Sequence, residues 1–191
     1  DLQICANNSA VQLTGNVTNA SGASWTGGSG AFAPNANVLS PVYTPSAGEL
    51  AAGSLSLYLT STGNGNCIAV RDTVVVTFTP APTVNAGVDL DVCMNNPVVT
   101  LNGAITVATG AQWTGGLGTF TPNAQALNAQ YVPNAFELGS GSVQLTLKTT
   151  GNGNCIAVTD QVTITVTPSP VVSAGADLIT CSNQLQVPLS G

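Results

Sequence analysis

Apolar residues recur at every second position over several stretches of this chain. Leu55, Leu57 and Leu59 alternate with Ser56, Tyr58 and Thr60, and Val74, Val76 and Phe78 alternate with Thr73, Val75 and Thr77. Successive side chains of a β-strand point to opposite faces, so the pattern predicts strands with one buried and one wet face. Val143, Leu145 and Leu147, and then Val162, Ile164 and Val166, repeat it; Val11 and Leu13 form a shorter example. Clusters of Gly, Pro and Asn punctuate the chain, and no stretch carries a helical period. Short strands at turn-punctuated spacing predict an all-β chain folded as antiparallel two-sheet sandwiches.

The pattern is printed more than once. Asp1-Leu2 returns as Asp89-Leu90 and Asp177-Leu178, an offset of 88 residues, and Trp25-Thr26-Gly27-Gly28 returns as Trp113-Thr114-Gly115-Gly116. The block GNGNCIAV at 63–70 reappears unchanged at 151–158. A fixed period of this length is the mark of a tandem array. Pro80-Ala81-Pro82 and Pro168-Ser169-Pro170 mark the joints, and proline makes such a joint a short, semi-rigid spacer. The expected units are 1–82, which lacks its first residues, 83–170, and the incomplete start of a third at 171–191. With no initiator methionine and no charged leader before an apolar stretch, the sequence reads as a piece of a longer, processed chain.

Composition removes several function classes. Two basic residues face eight acidic ones, the net charge is −6, and histidine is absent. Two cations cannot displace the counterions of a nucleic acid or hold an anionic lipid surface. Without histidine there is no Ser-His-Asp or Cys-His catalysis and no imidazole zinc site. No run of 18 apolar residues exists to insert in a membrane as a helix. Charged residues are only 5% of the chain while 43% are hydrophobic, which argues for a folded chain with a neutral polar surface.

Cysteines stand at 5, 67, 93, 155 and 181, at alternating spacings of 62 and 26 residues. No C-x-x-C occurs, so disulfides in an extracellular setting fit better than metal. Two pairings respect the repeat. Cys5–Cys67 with Cys93–Cys155 would staple each unit internally, whereas Cys67–Cys93 with Cys155–Cys181 would bolt each unit to the next. Loop-closure entropy gives about 4 and about 3.5 kcal/mol respectively, too close to choose by. The internal staple is expected, because small secreted domains use disulfides to support a limited core. The order Cys-Trp-Cys matches an immunoglobulin domain, although Gly65 and Gly153 replace the tyrosine that precedes the second cysteine there.

Further motifs carry a family resemblance. They are D-L-x-x-C from Asp1, W-T-G-G-x-G-x-F from Trp25, Y-x-P-x-x-x-E from Tyr43, G-N-G-N-C from Gly63, D-x-V from Asp72, and T-P-x-P-x-V-x-A-G from Thr79. Together they resemble the PKD-like, immunoglobulin-like tandem repeats of very large Bacteroidota surface proteins. Many of those are gliding-motility-associated adhesins exported by the type IX secretion system. The resemblance implies a non-enzymatic stalk or filament shaft at the cell surface. The implied partners are neighbouring repeats and other copies in a filament. Asp72-Thr73-Val74 also resembles the O-glycosylation signal of that group, which would place a glycan on Thr73.

Candidate sites are few. Trp25 and Trp113, each before Thr-Gly-Gly, suit either a sugar-stacking platform or a plug between two sheets. The first would make the repeat itself bind surface glycans; the second is the expected role. Glu49, Asp72 and Asp89 recur as Glu137, Asp160 and Asp177. These acids read as caps on turns and backbone amides, and no cofactor is expected; were calcium held, Asp89 and Asp91 at the joint would be its ligands. The G-N-G-N sequences read as hairpin turns. Asn7-Asn8-Ser9, Asn16-Val17-Thr18 and Asn19-Ala20-Ser21 are formal N-glycosylation sequons that carry no weight in a bacterial protein. A module accessory to a hydrolase is a third reading, which needs a catalytic domain elsewhere in the parent chain.

Overall fold

The computed structural model describes residues 1–179, 181–183, 186 and 189. The remaining residues of the expected third unit lie outside the described set. The first unit contains β1 (Leu2–Cys5), β2 (Val11–Gln12), β3 (Gly22–Thr26), β4 (Ala31–Ala33), β5 (Val42–Thr44), α1 (Ala47–Ala52), β6 (Ser54–Thr62) and β7 (Arg71–Thr79). The second contains β8 (Thr83–Asn85), β9 (Leu90–Cys93), β10 (Val99–Thr100), β11 (Ala104–Thr106), β12 (Gly110–Thr114), β13 (Thr119–Thr121), β14 (Gln130–Val132), α2 (Ala135–Ser140), β15 (Ser142–Thr150) and β16 (Thr159–Thr167).

Each unit is a sandwich of a four-stranded and a three-stranded sheet. Their orders are β1-β7-β6-β3 with β2-β5-β4, and β9-β16-β15-β12 with β10-β14-β13. The alternating stretches do what their period requires. Leu57 and Val76, and then Leu145, Leu147, Val162 and Ile164, all face inward. Val11, Trp25, Tyr43 and Leu57 meet in one core, and Val99, Trp113, Tyr131 and Leu145 in another. The sandwich is not wholly antiparallel, because β1 runs parallel to β7 and β9 parallel to β16. Alternation encodes which face a residue takes but not the direction of the strand. In the second unit β8 pairs with β11 as a two-stranded ribbon.

The expectation of no helix is corrected by two six-residue helices. Six residues are too few to show a period, but their caps are written in the sequence. Ser46 and Asn134 are N-caps whose side chains accept from the amides of Glu49 and Glu137, and each glutamate returns to the cap amide. Gly53 and Gly141 close the helices in the left-handed conformation.

These caps also lock the core tyrosine. The Tyr131 hydroxyl donates to Glu137 Oε1 at 2.7 Å and accepts from the Gly118 amide at 2.9 Å, while the Leu117 amide donates to Glu137. Tyr43, Glu49, Gly30 and Ser29 repeat the arrangement. Gly28 and Gly116 sit at φ +70° and +71°, and a Cβ on either would collide with the tyrosine hydroxyl. The W-T-G-G-x-G motif is therefore the cradle of a tyrosine. Burial first, then the bonded carboxylate, pushes both phenols up to about 12. Burial works to raise the glutamates, but the amide and phenol donors outweigh it and hold both below their ordinary value.

Glu137 is only 4% exposed, so Glu137→Ala strands several donors and is expected to cost about 3 kcal/mol or more by chemical denaturation. Glu49→Ala costs less, because Glu49 is half-buried. The depressed glutamates contribute stability that is present above pH 4.5 and lost as pH falls through their lower folded values. The raised tyrosines contribute stability that is present below pH 10 and lost as pH rises towards about 12. Melting temperature against pH should thus show a plateau with declines on those two sides, and Tyr131→Phe should weaken the alkaline decline.

Candidate functional site at the junction of the two units

The strand β7 fixes where the cysteines of the first unit lie. Cys5 pairs with Thr79 at its last residue, while Cys67 sits in the turn before Arg71 at its first. Eight steps of about 3.3 Å separate those ends, far beyond the roughly 7 Å between Cα atoms that a disulfide can bridge. Cys93, opposite Thr167, and Cys155, in the turn before Thr159, are divided by β16 in the same way.

The expected Cys5–Cys67 and Cys93–Cys155 staples are therefore replaced. Cys5 is bonded to Cys155, 150 residues away, with their Cα atoms 5.0 Å apart. The alternative bolt, Cys67–Cys93, is not formed either: both of these cysteines are free. The strand end of the first unit abuts the hairpin turn of the second, which leaves Cys67 and Cys93 at the two far ends.

Hydrogen bonds surround the disulfide. Asn7 Nδ2 donates to the Ile156 carbonyl at 2.9 Å, and the Ile156 amide donates to Asn7 Oδ1 at 3.0 Å. The asparagine side chain thus pairs with a backbone peptide as a neighbouring strand would. Asn8 Nδ2 reaches the Asn154 carbonyl at 3.3 Å, and Asn154 Nδ2 the Gln3 carbonyl at 3.4 Å. The turn itself is built locally. Asn152 Nδ2 holds the Thr149 carbonyl, the Cys155 amide holds Asn152, and Gly151 and Gly153 take positive φ as the G-N-G-N pattern requires. Unsuspected in the sequence, this turn is a docking surface. The clue was Cys-x-Asn-Asn, which recurs as Cys5-Ala6-Asn7-Asn8 and Cys93-Met94-Asn95-Asn96.

The other candidates fall away from the junction. Trp25 and Trp113 are 6% and 1% exposed, and their indole N–H groups donate to the carbonyls of Leu39 and Ala126. These rings are plugs between the sheets, the role expected of them, and neither is exposed enough to serve as a glycan-stacking platform. Asp89 is exposed and accepts from the Thr163 amide at 2.8 Å, so it ties β9 to β16. Asp91 is exposed beside it, and among the described residues no group of three acidic or cysteine side chains is gathered for a metal. Thr73 is exposed on β7, its amide bonded to the Asp72 carboxylate.

No family model matches this sequence, and no curated protein matches it. Among solved structures, Drosophila N-cadherin EC1-4 aligns at 11% identity with a TM-score of 0.44, over 87% of this chain and 47% of that one. The insect immune protein hemolin aligns at 11% identity and a TM-score of 0.45, over 87% and 45% of the two chains. Protocadherin gamma C5 EC1-3 aligns at 15% and 0.40, over 86% and 64%. The chain thus spans about half the length of the first and second of these structures, and under two thirds of the third.

Non-reducing proteolysis and mass spectrometry should recover one peptide pair joining Cys5 to Cys155, with Cys67 and Cys93 open to alkylation. A Cys5–Cys67 or Cys67–Cys93 pair would contradict the geometry.

Proposed function

We propose that this chain is a non-enzymatic structural repeat from the stalk or filament shaft of a large extracellular bacterial surface adhesin. In this reading residues 1–82 and 83–170 are successive immunoglobulin-like units of a linear array, and 171–191 opens a third. The observation that carries it is the junction, where a disulfide and four side-chain hydrogen bonds fix one unit end-on to the next. A joint of this kind stiffens a rod and supplies nothing to catalysis.

A disulfide persists in an oxidising compartment, which supports placement outside the cell. The motifs shared with Bacteroidota surface repeats support the cell surface, with gliding-motility adhesins and type IX cargo as the nearest kind of parent. Partners are the neighbouring repeats and other copies of the chain. Thr73, exposed beside Asp72, remains available to an O-glycan on this reading. Stacking of glycans on Trp25 or Trp113 finds no support.

The junction has a mechanical consequence. Tension applied at the two ends crosses from Cys5 to Cys155 directly, so the residues between them lie in a closed loop that carries no load. Single-molecule stretching of the oxidised chain should release no length from residues 6–154; only β1, β16 and the residues after β16, which lie outside the loop, can extend. After reduction, both units should unfold and release roughly 500 Å of contour over the 150-residue separation. Full extension without a reductant would overturn the shaft reading.

A further inference from the structure

The docking turn has the same sequence in both units, but the turn beside it does not. The connection from β11 to β12 runs through Val107, whose 88-residue counterpart is Asn19. Both residues take the left-handed conformation, Asn19 at φ +59° and Val107 at φ +66°. Asparagine tolerates that region, whereas a β-branched side chain crowds its own backbone there. Val107 is also the centre of a three-residue turn, closed by the Ala108 amide donating to the Thr106 carbonyl at 2.7 Å. Such a turn at positive φ is strained, and strain persists only where the surrounding structure holds it.

The docking turn supplies that hold. Thr109 donates to the Gly151 carbonyl at 3.4 Å through its amide and at 3.4 Å through its hydroxyl. On the other side the Thr106 hydroxyl lies 2.6 Å from Thr83 Oγ1, which anchors the end of β11 on β8. The strained residue is thus pinned between a ribbon and the turn that carries Cys155. Its own unit gains little from this, because Val107 is 51% exposed and stands outside the hydrophobic core.

Its surroundings lie across the joint. With Gln3 and Thr79 of the first unit, and with Gly153, Asn154 and Cys155 of the second, Val107 lines a crevice of about 310 Å³. The short junction bonds are made on the chain after Cys5, by Asn7, at 2.9 and 3.0 Å. On the chain before Cys5, the Gln3 carbonyl is held by Asn154 at 3.4 Å. A disulfide with its firm bonds on one side leaves the other side free to rock. Val107 stands on that weakly held side, and its branching at Cβ makes it a stiff block.

We propose that Val107 is a positioning residue of the joint. The strained turn presents its isopropyl group at the rim of the first unit, beside Gln3 and Thr79. There it stops the rocking that would widen the crevice, and it keeps small thiols from the Cys5–Cys155 bond. The second unit bears the strain, and the joint gains the stiffness. This deepens the shaft reading by naming a residue that sets the rigidity of the joint, but it rests on the contact between the two units alone. Its failure would leave the shielding of the closed loop under tension, which the disulfide itself provides, as expected above.

Val107→Asn tests it, and the fold is retained because Asn19 occupies the same position in the first unit. Relief of strain should raise the melting temperature of the oxidised chain by roughly 2–4 °C. The same variant should speed cleavage of Cys5–Cys155 by dithiothreitol at least about threefold, read by alkylation and mass spectrometry, because the crevice opens more often. Val107→Thr, which keeps the branching and the strain, should match the unsubstituted chain in both measurements. A residue that only stabilised its own unit would lower stability and protection together, whereas a positioning residue moves them in opposite directions. Unchanged cleavage in Val107→Asn overturns the proposal, as does faster cleavage accompanied by a lower melting temperature.

Discussion

Nine-residue strands hold the two cysteines of each unit at opposite ends of its sandwich, and the way units join follows from that separation. Neither cysteine can reach the other across β7 or β16, so a bond can form only where the end of one unit meets the end of another. The covalent framework then belongs to the contact between units, and the cores must stand on packing and on the buried tyrosine–glutamate clamp. That clamp is internal and complete in both copies, so each sandwich does not depend on the disulfide for its shape.

The contact suits a chain with few charges. The side chains of Asn7, Asn8 and Asn154 and the backbone of Gln3, Asn154 and Ile156 supply the junction hydrogen bonds, with no ion pair among them. Neutral amides suffer little screening by salt, so a joint built from them holds its strength across ionic conditions where surface ion pairs weaken. With charged residues at 5%, little long-range repulsion opposes end-to-end contact. The parallel pairing of β1 with β7 serves the same end, because it delivers Cys5 and the Asn-Asn pair after it to the rim where the next unit begins.

Much of the fold was legible in the chain, for physical reasons. Period two at Leu55–Leu59 and Val74–Phe78 fixes which faces are buried, and the exact return of G-N-G-N-C fixes the hairpin turn. Trp25 and Trp113 are core residues because a ring of that size fills a thin sandwich. Alternation is blind to strand direction, which hid the parallel edges, and spacing is blind to which end of a strand a cysteine occupies, which hid the pairing. The helices were signed by Ser46-x-x-Glu49 and Asn134-x-x-Glu137, but six residues cannot display a helical period. Asn7, read as part of an idle sequon, is a junction residue because its amide imitates a strand, a role that only the neighbouring unit reveals.

The central claim is that the units are fixed to each other rather than strung on a hinge. Residual dipolar couplings measured on the two halves of the oxidised chain test it most directly. A single alignment tensor should fit both halves together, and reduction or Cys5→Ser should split it into two tensors of unequal magnitude. Two independent tensors in the oxidised chain would show a hinge at Pro80–Pro82 and contradict the account.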